Sequence, residues 1–322
     1  MNDLIDRIRS EPALADKLTV GVLGCDPCSP EALQAAEEVR NSSLVNTLLS
    51  ERDTDGRHPR HPYAKWDGAH WLLSLLADLG YPPGDQALKP LVDQSLGWLL
   101  GDSHQKSIRT IAGLVRRCAS QEGNAVWYSL KLGLADDRIQ QLVEKLIHWQ
   151  WPDGGWNCDK RPSASHSSFN ETLIPLRALA LYARQSGDVQ VRHAAERAAE
   201  VFLTRQLFER LSDGRVIDEN FILLHYPPYW HYDILFALKL MAEAGFIDDP
   251  RCQAALDMLE SRRLPDGGFP AQRAYYRTTS RKGTGFSLVS WGGTSTRYMN
   301  PFVTADALYV LRMAGRYRPS SL

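Results

Sequence analysis

Long hydrophobic runs are missing from this sequence. No apolar stretch reaches the ~20 residues that a membrane-spanning helix needs. The opening segment, MNDLIDRIRSEPALADKL, mixes acidic and basic side chains and lacks the composition of a secretory signal. We therefore expect a cytoplasmic protein without an integral membrane segment.

An excess of charge of one sign is also absent. The chain has 37 Lys and Arg against 38 Asp and Glu, a formal net charge of -1. Proteins that bind nucleic acid usually present a clustered basic surface. We therefore expect no nucleic-acid partner.

Cysteine is scarce and odd in number. The five cysteines, scattered over 322 residues, are Cys25, Cys28, Cys118, Cys158 and Cys252. This argues against a disulfide framework and predicts reduced thiols, one or more of which could bind a metal. The Cys25–Cys28 pair has no second pair at zinc-ribbon spacing, so its role is left open.

A period-two strand pattern is absent as well, and helical patterns of two kinds alternate along the chain. One kind has a strongly charged face and predicts outer helices at 31–50, 87–101, 137–150, 188–208 and 250–263. The other kind is apolar nearly all round, which predicts buried inner helices at 66–80, 123–134, 167–184, 231–245 and 301–315.

Two turns between these helices are nearly the same. Residues 146–157 read LIHWQWPDGGWN and residues 259–270 read LESRRLPDGGFP, with a degraded third copy at 202–217. Proline stops a helix, the glycine pair permits a left-handed turn, and the following aromatic is expected to fold back onto the helix end. Repeated helical hairpins that each expose an apolar face must stack on one another.

The two alternating classes of helix predict an all-α fold closed into an (α/α)5–6 toroid. We expect one domain over 1–322, with an N-terminal extension at 1–30. The long segment 270–300 is rich in aromatic residues, which is typical of a lid or the wall of a site.

The segment Gln150-Trp-Pro-Asp-Gly-Gly-Trp156 resembles the QW-type repeat of squalene and oxidosqualene cyclases and the similar repeat of protein prenyltransferase β subunits. Pro265-Asp-Gly-Gly-Phe269 resembles a second copy. The segments DGGWNCD, ASHSSF and PPYWHYD also resemble a bacterial group of cyclase-like or prenyltransferase-like proteins of uncertain reaction. The resemblance implies the toroid fold, with a ligand in the central cavity near the N-terminal ends of the inner helices.

The chain departs from these families in its acidic and basic residues. Class II terpene cyclases protonate their substrate with an Asp-x-Asp-Asp motif, and no such motif is complete here. Prenyltransferases need a helical partner subunit and a basic diphosphate site, whereas few basic residues fall near the predicted inner-helix starts. Terpene cyclisation and prenyl transfer in their usual forms are therefore not predicted.

Several chemistry-bearing residues fall at the predicted inner-helix starts. Cys158, His166, His231 and Asp233 are candidate ligands of a zinc ion, which accepts thiolate, imidazole and carboxylate donors. His166, His231 and Asp233 also suit acid–base catalysis without a metal, and Asp67 and His70, three residues apart, form a second candidate catalytic pair. The structural alternatives are a buried thiol, helix caps and a core histidine.

The candidate substrate-binding residues share the same predicted end of the fold, and most are aromatic. Aromatic walls suit apolar ligands, although core packing explains the same pattern. They are Lys65, Trp66, Asn124, Trp127, Phe169, Tyr229, Trp230, Trp291, Arg297 and Tyr298.

The function predicted from these residues is that of an enzyme. We expect it to act on a small apolar molecule, terpenoid or aromatic, by acid–base or zinc-assisted lyase, hydratase, hydrolase or isomerase chemistry. The terpenoid preference rests on the resemblance alone. The alternatives are a toroid that binds a ligand or partner protein without turnover, and a prenyltransferase-like subunit. The sequence does not predict the oligomeric state.

Overall fold

The computed structural model describes residues 2–319 and is mostly helical. The only sheet within this range is an antiparallel hairpin of strands β1, Arg109–Ile111, and β2, Leu114–Arg116, in which Thr110 pairs with Val115. The predicted all-α class is therefore confirmed. The α-helices of the described residues are α1 Asn2–Arg9, α2 Pro30–Asn41, α3 Ser43–Leu49, α4 Ala69–Leu79, α5 Lys89–Leu100, α6 Asp102–Lys106, α7 Ser120–Lys131, α8 Asp137–Trp149, α9 Phe169–Ser186, α10 Val189–Leu203, α11 Ile234–Ala244, α12 Gln253–Glu260 and α13 Pro301–Met313.

The five predicted inner helices are present as α4, α7, α9, α11 and α13. Each is buried on nearly all sides over most of its length. Their compositions explain this, because small and apolar side chains occupy every face and leave no polar stripe for water.

The predicted outer helices are also present, with one change at 31–50. Helix α2 ends and α3 begins at Ser42, whose extended backbone breaks the helix and whose Oγ accepts a hydrogen bond from the Val45 N–H. Serine favours such a cap because its short side chain satisfies a free N–H of the first turn. Helices α5, α8, α10 and α12 follow the remaining four predictions.

The inner helices contact one another in chain order. Helix α4 packs on α7, α7 on α9, α9 on α11, and α11 on α13. Helix α13 then packs on a π-helical turn, Lys17–Val22, within the predicted N-terminal extension. Lys17 returns to α4 through an ion pair with Asp78, 2.7 Å between Nζ and Oδ2.

The two Pro-Asp-Gly-Gly turns share one hydrogen-bond pattern. Trp151 N donates to Gly155 O and Gly154 N to Trp151 O, while in the second turn Leu264 N donates to Gly268 O and Gly267 N to Leu264 O. The first glycine of each pair is left-handed, with φ of 102° at Gly154 and 85° at Gly267.

The aromatic residue after each turn is buried, as predicted. Trp156 donates from Nε1 to the Leu146 carbonyl of the preceding helix, 2.9 Å away. The Trp156 backbone N–H donates a hydrogen bond to the Thr172 Oγ1, and the Phe269 N–H donates one to the Thr304 Oγ1. The turns therefore fasten the end of one hairpin to the first turn of the next inner helix.

Helices α7 and α9 approach each other closely at Gly123. A Cβ placed on Gly123 would lie 2.8 Å from the Pro175 backbone nitrogen. Pro175 stands inside α9, and its missing N–H leaves a smooth surface for the glycine. Only glycine fits this crossing without displacing backbone.

The segment 270–300 lies across the N-terminal ends of the inner helices. The Trp66 N–H donates to the Phe286 carbonyl, and the Trp66 Nε1 donates to the Tyr275 carbonyl at 2.6 Å. Asn300, the cap of α13, donates from Nδ2 to the Trp291 carbonyl at 2.7 Å. The segment is thus fastened to the helix starts that it covers.

Candidate functional site

Aromatic side chains fill the N-terminal end of the inner helices. The rings of Trp66 and Tyr229 are stacked, with centroids 4.0 Å apart, and Trp71 meets both edge-on. Tyr229 is buried and has a left-handed backbone with a φ of 49°. The structure therefore brings two predicted substrate-binding residues together, but packs them against each other.

His231 lies in the same layer, between two rings. Its imidazole stacks on Trp230 at 3.9 Å and on Tyr275 at 3.5 Å between centroids. Burial, with the nearby His225, lowers the pKa of His231 to about 3. The imidazole is therefore neutral near pH 7. Lys65 Nζ lies 4.9 Å from the Trp230 ring, where a cation meets the negative face of the indole.

Asp67 and His70 are both fully buried but face different partners. Asp67 pairs with Arg60, 2.5 Å between Oδ2 and Nη1, and α4 is capped by Gly68 instead. His70 is enclosed by aromatic rings including Tyr63, and neither ring nitrogen has a hydrogen-bond partner. Burial lowers the pKa of His70 to about 3. His70 therefore lies in the structure as a core histidine, which is the alternative to a catalytic role at this position.

Asp233 caps its own helix. Its Oδ1 accepts a hydrogen bond from the Phe236 N–H at 2.7 Å, and its Oδ2 accepts one from the His225 N–H at 2.9 Å. The His225 Nδ1 also lies 2.7 Å from the Asp233 Oδ2. Both carboxylate oxygens are therefore engaged, as the cap alternative anticipates.

The four predicted zinc donors are not assembled. His166 is exposed to solvent, and its backbone carbonyl accepts a hydrogen bond from Asn157. His231 and Asp233 belong to the aromatic layer and the α11 cap. Cys158 instead lies beside Cys118 and Glu171, and one Sγ or carboxylate oxygen from each of these three lies within 4.8 Å of the others. The local sequence spacing does not anticipate this grouping.

The remaining predicted substrate-binding residues are dispersed. Arg297 and Tyr298 are exposed, and Tyr298 is 74% accessible to solvent. Phe169 packs on Phe202 and Tyr232 in the core, and Trp291 is buried with Nε1 donating to the Ser287 Oγ. Asn124 and Trp127 line a small pocket between the inner helices, and Trp127 also lines the larger cavity described next.

An open cavity of about 400 Å³ lies at the other end of the inner helices. Its walls come from the middle and C-terminal parts of α4, α7, α9, α11 and α13, and from residues 16–21. The sequence analysis expects the site near the N-terminal ends, so the position of this cavity differs from that expectation. The residues that line this cavity include Asp16, Lys17, Val20, Gly21, Asp78, Trp127, Lys131, Arg177, Leu181, Arg184, Lys239, Glu243, Asp306, Tyr309 and Met313.

Three cations and three carboxylates form a buried network on the cavity wall. Lys17 Nζ lies 2.7 Å from both Asp78 and Asp306. Lys239 Nζ contacts the same two carboxylates, at 2.7 Å and 3.0 Å. Arg177 binds Glu243 through two hydrogen bonds of 2.5 Å and 2.8 Å. The six formal charges cancel, which offsets much of the cost of removing them from water.

The network fixes the charge states of Asp78 and Lys239, whereas at Lys17 burial outweighs the two carboxylates and lowers the pKa of the ammonium group. Burial alone would raise the pKa of Asp78, but Lys17, Lys239 and Arg177 hold it well below its usual range. Burial would lower the pKa of Lys239, but Asp306 and Asp78 raise it above its usual value. Asp78 is therefore an anion at neutral pH, and Lys239 is a cation.

Asp16 differs from the other carboxylates of the cavity. It lies against Gly80, whose left-handed backbone ends α4, and no cation among residues 2–319 is within ion-pair distance of its carboxylate. Burial raises the pKa of Asp16 to about 6, despite the opposing charges of Lys131 and Lys17. A carboxyl group with this pKa exchanges protons near neutral pH.

A sequence signal for the charged network exists. Four helices predicted to be buried each carry a charged residue flanked by small or apolar residues: Asp78 in LLADLG, Arg177 in PLRALA, Lys239 in ALKLMA and Asp306 in TADALY. A buried charge must be paired, so single charges on neighbouring buried helices predict one shared network. Asp16 and Lys17 give no comparable signal.

Comparisons with known proteins leave the function open. No protein family and no curated protein matches this sequence. A similar solved structure is a variant of the type II terpene cyclase MstE from Scytonema in complex with geranylgeranyl dihydroxybenzoate, with 14% identity over 98% of this chain and 99% of that chain. Its TM-score of 0.29 is too low to support an argument about fold or function. Among the described residues, no helix is long and apolar enough to cross a membrane.

Proposed function

We propose that this chain is a closed ring of helical hairpins and an enzyme that moves a proton on a small molecule in its 400 Å³ cavity. The observation that supports this proposal is that five inner helices and residues 16–21 all contribute residues to the lining of one cavity. The volume falls within the range of about 300–1,000 Å³ that is common for ligand sites.

The chemistry of the walls defines the kind of ligand. Val20, Leu181, Tyr309 and Met313 offer apolar surface. Lys131 and Arg184, both exposed, place positive charge at the opening beyond the neutral network. A mainly apolar molecule with one anionic group complements this arrangement, in keeping with the apolar substrate predicted from the sequence.

Asp16 is the residue proposed to carry the proton. Its carboxyl faces the cavity with a pKa of about 6, so both protonation states are populated near neutral pH. Asp78 and Lys239 keep fixed charges and supply oriented charge around the bound molecule. Addition or removal of a proton suits an isomerase, a hydratase or a lyase.

The second candidate function is ligand binding without turnover. It is favoured because Lys17, Lys239 and Arg177 are all held in ion pairs with carboxylates. Asp16 is then the residue left to carry the reaction. The prenyltransferase-like alternative is less well supported, because a diphosphate site needs several unpaired basic side chains and these three cations are already paired.

Binding is tested with decanoate, an apolar chain with one carboxylate, by calorimetry. Gly21→Leu should abolish the binding, because a side chain at Gly21 grows towards the cavity with its Cβ only 3.7 Å from Tyr309. Gly97→Leu is the matched control, since nothing lies within 4 Å of a Cβ at that position. Equal binding by both variants would refute the cavity as the binding site. Decanol and decyltrimethylammonium should bind at least tenfold more weakly.

Turnover is tested separately by incubating the full chain with a pool of cellular metabolites and following masses. The enzyme should deplete a compound and form an isomer, or a product that differs by the mass of water or of a small leaving group. Asp16→Asn should lose this activity while still binding decanoate. Decanoate binding without any conversion would favour the second candidate.

A further inference from the structure

We propose that Cys118, Cys158 and Glu171 form a binding site for a thiophilic divalent cation of the zinc class. The site lies at the N-terminal ends of α7 and α9, apart from the cavity of the proposed function, and it does not depend on that function. The donors come from three segments of the chain that the fold brings together.

Backbone contacts fix the two cysteines side by side. Arg116 and Asn157 form a parallel bridge, and the Arg117 N–H donates to the Asn157 carbonyl at 3.0 Å. In a parallel pairing, the next residues along each chain also become neighbours. Cys158 directly follows Asn157, and Cys118 is the second residue after Arg116, so this main-chain pairing brings the two cysteines close together.

Glu171 is held so that one oxygen faces the thiols. Its Oε2 accepts hydrogen bonds from both the N–H and the hydroxyl of Ser120, at 3.1 Å and 2.8 Å. Its Oε1 lies 3.5 Å from the Cys158 Sγ. A carboxylate whose second oxygen is fixed by hydrogen bonds is typical of metal ligands, because such contacts orient the donor atom.

The distance between these donors fits a tetrahedral ion. With bonds of about 2.3 Å to sulfur and 2.0 Å to oxygen, a sulfur and an oxygen on one zinc ion are about 3.5 Å apart. The Cys158–Glu171 separation has this value in the absence of an ion. Two thiolates and one carboxylate leave a fourth position for water or a substrate atom.

The charge of the site also calls for a cation. Glu171 is only 9% exposed, and no Lys, Arg or His among residues 2–319 pairs with it. Arg117, the nearest strong cation along the chain to Cys118, is committed to Glu122 through two hydrogen bonds from Nε of 2.9 Å and 3.0 Å. A divalent ion would supply the missing positive charge to a buried carboxylate.

Both thiols remain reachable. Cys118 and Cys158 are half-buried, whereas Cys252 is buried with its thiol beside the Phe246 carbonyl. Cys25 and Cys28 form a separate and more exposed pair near the start of the chain. These three cysteines therefore provide internal controls for any metal measurement.

The test uses the full chain, reduced and freed of metal, titrated with Co²⁺ and then Zn²⁺. One equivalent of Co²⁺ should bind with an intense thiolate-to-cobalt absorption, and Zn²⁺ should displace it. Cys118→Ser and Cys158→Ser should each abolish the absorption. Glu171→Gln keeps the shape of the side chain and should weaken binding by at least tenfold.

The double variant Cys25→Ser/Cys28→Ser and the variant Cys252→Ser should retain the cobalt spectrum. Loss of the cobalt spectrum in the double variant, together with its retention in Cys158→Ser, would show that the metal binds at Cys25 and Cys28. This result would overturn the proposal. Absence of Co²⁺ and Zn²⁺ binding by the folded, reduced wild-type chain would also overturn it. Far-UV circular dichroism of every variant separates loss of metal from loss of fold.

Discussion

The guanidinium carbon of Arg177 lies 3.4 Å from the centroid of the Trp127 ring. The same Arg177 binds Glu243 and lies 3.5 Å from Asp78. One side chain on α9 therefore joins an aromatic ring of α7 to carboxylates of α11 and α4. Few residues in the fold connect so many inner helices at once.

Arg177→Met should destabilise the protein by about 3–5 kcal/mol at pH 7, because it leaves Glu243 without its cation and the buried network one positive charge short. Arg177→Lys should recover part of this loss, since a lysine restores charge but not the two-pronged contact with Glu243. Arg184→Met, an exposed change on the same helix, should alter stability by about 0.5 kcal/mol or less. Urea unfolding measures all three, and similar values for Arg177→Met and Arg184→Met would contradict the network.

Asp16→Asn should stabilise the protein at pH 7. The pKa of Asp16 is raised from 3.8 to about 6 in the folded chain, so folding disfavours its anion. Its contribution to stability is fully present below pH 3.8 and is lost as the pH rises through about 6. The variant should exceed the wild type by at most about 3 kcal/mol at pH 8, with the difference vanishing near pH 4. A difference in stability between variant and wild type that grows towards acid pH would contradict the raised pKa of Asp16.

His70→Phe should reduce the loss of stability in acid. The pKa of His70 is lowered from 6.5 to about 3, so the stability that its neutral form provides is present above pH 6.5 and is lost as the pH falls towards 3. At pH 5 the stability lost in this way amounts to about 2 kcal/mol. The variant should keep most of that amount, because phenylalanine suits the surrounding aromatic rings.

The control for the His70 experiment is His193→Phe on the outer helix α10, where the side chain is 67% exposed. It should leave the acid-induced loss unchanged. Thermal melts between pH 5 and pH 8 give both comparisons. An unaltered pH dependence in His70→Phe would mean that the imidazole takes up its proton equally in the folded and unfolded states, which contradicts the lowered pKa.

Gly123→Ala should destabilise the protein by about 1–3 kcal/mol, because the new methyl group meets the Pro175 backbone at 2.8 Å and forces α7 and α9 apart. Gly97→Ala is the matched control within another helix. Nothing lies within 4 Å of its Cβ, so it should stabilise by about 0.5–1 kcal/mol through helix propensity. Chemical unfolding of the two variants should shift in opposite directions.

The sequence predicts the helices better than the site, and particular residues show why. The all-round apolar pattern of α4 or α11 and the repeated Pro-Asp-Gly-Gly turns are local signals, because each depends on residues close in the chain. The turn of Lys17–Val22 carries no such pattern, and its place beside α13 follows only from long-range packing.

Candidate sites depend on which residues of distant segments meet. Cys158 is a sound candidate ligand from its residue type, but its neighbour Cys118, 40 positions earlier in the chain, is brought to it by the main-chain bridge between Arg116 and Asn157, which short motifs do not encode. His166 shows the converse, because it lies just before an inner helix as predicted but is exposed to solvent. Residue type identifies possible donors, whereas tertiary contacts choose among them.

The contact between Lys17–Val22 and α13 has a consequence for the synthesis of the protein. Lys17 and Asp306 are 289 positions apart. At about 5–20 residues per second, the ribosome takes on the order of tens of seconds to pass from one to the other. Throughout that time Lys17 has only part of its ion pairing, and the apolar face awaiting α13 is open to other nascent chains. Helix α13, which is made long after Lys17–Val22, therefore completes the cavity wall, and we expect a chain stopped before residue 301 to leave that apolar face exposed.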